Sequence, residues 1–119
     1  MRRFQLAALL LASPAAAGLF GGAPAPTAAR LDILDSGFSP RTLILPSGRK
    51  VRITVANKTS RAAEFESFSL HREQIVAPGG EIPVFVGPLK AGRYDFFDDF
   101  SRGRTGEIVA STATAAGKP

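Results

Sequence analysis

The chain has 119 residues, no cysteine, one methionine at position 1 and a formal net charge of +5. The missing cysteine excludes disulfide frameworks, thiolate metal sites and redox-active thiols. The modest basic excess is spread among acids, with no Lys/Arg run, zinc-finger spacing or recognition-helix pattern, which argues against nucleic acid as a partner.

Met1-Arg2-Arg3 is a short basic region, and Phe4 to Leu11 is an apolar run too short to span a bilayer comfortably. Ser13-Pro14-Ala15-Ala16-Ala17 then offers small residues in an A-x-A pattern. Residues 1–17 therefore read as a secretory signal peptide cut near Ala17, with an uncleaved anchor as the weaker alternative. The protein is expected to be exported, with no stable membrane insertion. Without Arg2 and Arg3 the side-chain charge falls by two, to +3. Residues 18–30, rich in Gly, Ala and Pro, read as a flexible leader, and residues 111–119 as a disordered tail. That leaves residues 31–110 for one small domain.

Within it, short apolar-alternating segments are separated by turn residues. Leu31 to Leu34 opens the domain, and Thr42 to Leu45 is ended by Pro46-Ser47-Gly48. Val51 to Val55 alternates, with Val51, Ile53 and Val55 on one face and Arg52 and Thr54 on the other. Asn57 to Ser60 reads as a turn, Ala63 to Glu66 and Gln74 to Val76 as strands, and Pro78-Gly79-Gly80 as a stop. Ile82, Val84 and Val86 share one face of a strand that Pro83 marks as an edge or bulged strand. Arg93 to Phe96 and Glu107 to Val109 complete the set. The expected fold class is all-β, a Greek-key sandwich of seven or eight strands.

The acids carry the chemistry. Asp98 and Asp99 sit among aromatics in Phe96-Phe97-Asp98-Asp99-Phe100, and Glu64-Phe65-Glu66 lies upstream with His71, the sole histidine, behind it. Carboxylates beside apolar surface are costly unless something cationic compensates them. Glu64 and Glu66 point to one face of a strand. A site with Glu64 or Glu66 opposite Asp98, and His71 reaching in from the next loop, is expected to hold a metal ion. Carboxylates favour iron, manganese, calcium or magnesium, and the imidazole tilts the set toward iron, copper or zinc. Glu73 is the weakest candidate, since Arg72 and local loop contacts account for it.

Plainer readings compete. Glu64 and Glu66 fit the solvated face of a half-buried strand, and His71 an exposed loop. Asp98-Asp99 fits a turn capping backbone amides, or salt bridges to Arg102 and Arg104. Phe65, Tyr94 and Phe96 read as core aromatics.

Phe38-Ser39-Pro40, Leu43, Leu45-Pro46-Ser47-Gly48, Val51 to Asn57, Ala77 to Gly80, and Gly92 to Phe97 followed by Gly106 to Val109 together resemble the cupredoxin superfamily. The resemblance covers roughly residues 31–109. More narrowly, Glu64 to Ser67, Leu70 to Glu73 and Phe96 to Phe100 resemble the small periplasmic cupredoxin-like proteins of bacterial ferrous-iron uptake systems. That implies a periplasmic location and, as partners, a periplasmic iron-binding protein and a membrane iron permease. It also implies iron or copper as the bound metal ion. A type 1 blue-copper electron carrier is excluded, because that centre needs a thiolate, two imidazoles and usually a thioether. About Asp98 stands at the expected cysteine, and Ser101 to Thr105 offers neither histidine nor methionine. Two function classes follow. One is a metal-binding uptake protein using Glu64, Glu66, His71, Asp98 and Asp99, with ferrous-iron oxidation as the one reaction considered. The other is a metal-free β-sandwich that binds a partner protein in an exported assembly. A homodimer sharing one site between copies stays open.

Overall fold

A computed structural model describes residues 26–112. The expected signal peptide, with its cleavage near Ala17, lies outside these residues, as do positions 18–25 of the expected leader and 113–119 of the expected tail.

Among the described residues, nine strands form two sheets, one strand more than the upper expectation. They are β1 (Thr27–Leu34), β2 (Gly37–Ser39), β3 (Thr42–Pro46), β4 (Val51–Asn57), β5 (Ala63–Ser67), β6 (Arg72–Val76), β7 (Glu81–Val86), β8 (Gly92–Asp98) and β9 (Thr105–Ser111). One sheet has the order β2-β1-β4-β7 and the other β3-β9-β8-β5-β6. β1 pairs parallel with β4 and β3 parallel with β9; the remaining ladders are antiparallel. β1 starts before Leu31, inside the expected leader, because Thr27 to Arg30 pair with Val51 to Thr54. β7 is an edge strand, which accommodates Pro83.

Leu31, Ile33, Ile53, Val55, Val84, Phe65, Phe96 and Ile108 point between the sheets and are fully or almost fully buried. Burying each such side chain stabilises the fold by about 1.5–3 kcal/mol. Phe96 anchors the centre, edge-on to Phe38 at 4.8 Å and tilted against Phe65 at 5.2 Å between ring centroids. Tyr94 packs at the margin of this core, and its hydroxyl donates to the Lys90 carbonyl.

The crossing from β4 to β5 sets up the acidic region. Asn57 is buried, and its amide nitrogen donates to the carbonyls of Arg61 and Val76. Its side-chain oxygen accepts from the amide and hydroxyl of Thr59. This knot satisfies the polar groups of a buried turn and delivers Ala63 and Glu64 beside the end of β8.

Candidate metal centre

Glu64, Glu66 and Asp99 come together: one carboxylate oxygen from each lies within 4.8 Å of the others. The backbone explains why. Across the β5–β8 ladder, Phe65 is the partner of Asp98 and Glu66 the partner of Phe97. Glu64 and Glu66 therefore share the outer face with Phe97, while Asp98 shares the inner face with Phe65. One residue beyond Asp98 the chain turns, and Asp99 joins the outer face. Its amide donates to the Glu64 carbonyl at 3.0 Å, while the Glu64 amide donates to Asp98 Oδ1 at 2.9 Å. Both polar groups of the Glu64 backbone are thus held by the acidic pair.

Asp98, expected as a ligand opposite Glu64 or Glu66, is placed elsewhere. It is fully buried. Its Oδ1 accepts from the amides of Glu64 and Phe100, and its Oδ2 accepts from the Arg104 guanidinium at 2.9 Å. Both oxygens are in use, so Asp98 caps the turn and pairs with Arg104, one of the plainer readings. The register decides this: of two adjacent aspartates only one can face out with Glu64.

His71 does not join the group of three acids either. It sits in the turn between β5 and β6 with φ of 56°, in the left-handed region. There it lines a shallow hollow of about 360 Å³ with Glu66, Phe68, Arg72 and Glu73. Glu73, the weakest candidate from sequence, is instead the cross-strand partner of Glu66. Its carboxyl also helps to raise the pKa of Glu64. A four-residue turn at Phe68 to His71, assumed from sequence, would have set Glu73 against Glu66.

The electrostatics are unfavourable without a cation. Glu64 is only 7% exposed. Burial, the Glu73 carboxyl and the charges of Glu66 and Asp99 push its pKa up to about 7. Burial, followed by the charges of Glu73 and Asp99, also raises Glu66, while Arg102 opposes the shift. Arg102 lies 3.6 Å from Asp99 but is 83% exposed, so its contact is a weak surface pair. Phe97, with the exposed Phe68 edge-on to it at 5.3 Å, borders the acids. An open cleft of about 750 Å³ on the same face is walled by Arg41, Asp95, Phe97, Arg102 and Glu107, whose charges balance.

The donors do not fit type 1 copper, because the chain has no cysteine and its one methionine is Met1. They do fit a hard cation: three clustered carboxylates, one of them buried and half protonated near neutrality, would all be relieved by positive charge.

The family model for the cupredoxin-like domain matches residues 3–110. Uncharacterized protein RP394 of Rickettsia prowazekii is 39% identical over 71 residues, which span 60% of this chain and 57% of that protein. The matched segment thus covers little more than half the length of that relative. Among solved structures, the metal-binding domain of the Streptococcus pneumoniae Cu(I)-exporting P-type ATPase CopA, with Cu(I), is 17% identical with a TM-score of 0.63. The match covers 76% of this chain and 99% of that one. A purple cupredoxin from Nitrosopumilus maritimus is 19% identical with a TM-score of 0.57, over 70% of this chain and 99% of its own. Reduced auracyanin from Roseiflexus castenholzii is 13% identical with a TM-score of 0.60, over 74% and 99%. At these identities the structural likeness is one of fold.

Proposed function

The chain belongs to the cupredoxin-like domain family, and on that premise we propose that it is a periplasmic protein that binds iron, or copper, as cargo in metal uptake. The observation that carries this reading is the buried carboxyl of Glu64, grouped with Glu66 and Asp99 on one sheet face. Among the described residues no ion pair to Glu64 or Glu66 compensates them. Glu64, Glu66 and Asp99 would hold the cation, Glu73 would support Glu64, and a bound cation would replace the proton on Glu64. Hard oxygen donors suit iron better than the soft Cu(I) ion. The pneumococcal domain of similar fold, which holds Cu(I), keeps copper as the second cargo.

The partners supported by the narrower sequence resemblance are a periplasmic iron-binding protein and a membrane iron permease. Ferrous oxidation would need an electron acceptor beyond these carboxylates, so the reading assigns the chain binding and transfer.

The test is titration calorimetry with Mn(II) as a stable stand-in for Fe(II), with anaerobic Fe(II), and with Cu(II) and Zn(II). Glu66→Ala and Asp99→Ala are each expected to weaken binding at least roughly tenfold, since each removes a charged ligand. Asp98→Asn should lower folding stability instead, because it unbalances a buried pair with Arg104. Unchanged affinity in both Glu66→Ala and Asp99→Ala would sink the proposed site. Absence of binding to all four ions would leave the metal-free, partner-binding sandwich.

A further inference from the structure

We propose that the end of the sandwich opposite the acidic cluster is a docking surface for an anionic phospholipid bilayer. The proposal is independent of the metal reading. Segments 46–52 and 85–92 meet at this end, and neither contains an Asp or a Glu, while together they carry Arg49, Lys50, Arg52 and Lys90. The Gly48 amide donates to the Leu89 carbonyl at 2.8 Å, joining the two loops. Gly87, with φ of 92°, makes the approach possible: a Cβ there would lie 2.6 Å from the Arg49 carbonyl oxygen.

The cations gather around an exposed aromatic. Phe85 is 41% exposed. Lys50 Nζ lies 5.9 Å from its ring centroid, Arg52 is its cross-strand partner, and Arg72 Nε donates to its carbonyl. Among the described residues, Arg49, Lys50, Arg52, Arg72 and Lys90 make no ion pair. The acids of the same sheet face, Asp32 and Glu81, are both bonded to Arg30. A cluster of unneutralised cations around an amphipathic contact residue is the chemistry that anionic headgroups select.

The exposed Phe85 ring amid these cations favours a bilayer over an acidic protein, because an aromatic side chain can enter the apolar boundary beneath the headgroups. Residues 1–25 join the fold at this end, where the Thr27 amide donates to the Lys50 carbonyl. β8 runs from this end toward Asp98 and Asp99, so docking here would leave the acidic cluster facing away from the lipid.

The experiment is sedimentation of the exported chain, residues 18–119, with phosphatidylcholine vesicles, with and without phosphatidylglycerol, at low and high salt. The readout is the ratio of partition between the two vesicle types. The combined variant Arg49→Gln, Lys50→Gln, Lys90→Gln should lower that ratio at least tenfold, since each cation near such a surface is worth about a fivefold factor. Raised salt should lower the wild-type ratio as well. Arg41→Gln, Lys58→Gln, Arg61→Gln removes the same charge toward the other end and should leave the ratio near wild type. Equal loss in both variants would reduce the effect to net charge and overturn the proposal. A ratio near one in the wild type would also overturn it, leaving an acidic protein surface as the occupant.

Discussion

At Glu64 the fold holds a carboxyl where water reaches it poorly and three other acids surround it. Its pKa rises from 4.5 to about 7 for those reasons. The folded chain therefore binds this proton more tightly than the unfolded chain does. The resulting stabilisation is fully present below pH 4.5 and is lost as pH rises through about 7. The metal-free protein is expected to unfold at a lower temperature near pH 8 than near pH 5 through this group. Glu64→Gln, which keeps the shape and removes the titration, should flatten that part of the profile in thermal melts across this range. An unaltered profile in the variant would mean that the slope arises elsewhere. Asp98 shows the opposite arrangement within the same turn. Two amides and the Arg104 guanidinium complete its hydrogen bonding, so it is a structural acid beside a functional candidate.

The elements β5, β8 and β9 hold the site at a fixed spacing from the core. Phe96 lies beneath it, and Gly106 on β9 is its direct cross-strand partner. A Cβ at Gly106 would lie 2.6 Å from two atoms of the Phe96 ring and 2.8 Å from the Arg41 carbonyl oxygen. Phe96 is itself boxed in by Phe38 and Phe65. Gly106→Ala is therefore expected to destabilise the fold by about 1–3 kcal/mol, the range for overpacking a tight core. Urea unfolding would measure it, and a midpoint equal to wild type would show that the Phe96 ring has room to move. Because β8 also carries the Asp98 turn, the same variant should loosen metal binding. The β5–β6 hairpin acts differently: it sits at the sheet edge and brings Glu73 to Glu66 without burying it.

Among the described residues, the clustered acids lie at the β5–β8 junction and the cations around Phe85 lie toward the opposite end. A ligand that binds only the folded state raises stability by mass action. Mn(II) should accordingly raise the thermal midpoint of the wild type more than that of Glu66→Ala; equal shifts in both would locate the binding elsewhere. Much of this architecture was legible in the chain. The period-two alternation at Val51 to Val55 and Ile82 to Val86 dictates strands with one buried face, and Pro83 dictates an edge, because these are properties of consecutive residues. The acidic character of Glu64-Phe65-Glu66 and Asp98-Asp99 was equally visible. Which aspartate faces the glutamates was not: that depends on the register between β5 and β8, segments about thirty residues apart, and a slip of one residue exchanges Asp98 for Asp99. Glu73 joined the group, and His71 was left in the turn, for the same reason, since the turn at Phe68 to His71 fixes which residues of β5 and β6 meet. The basic end is a tertiary product too. Its two loops are far apart in sequence and become one surface only where Gly48 bonds Leu89. Local pattern determined the strands and their faces; long-range register and loop contact decided which charges became neighbours.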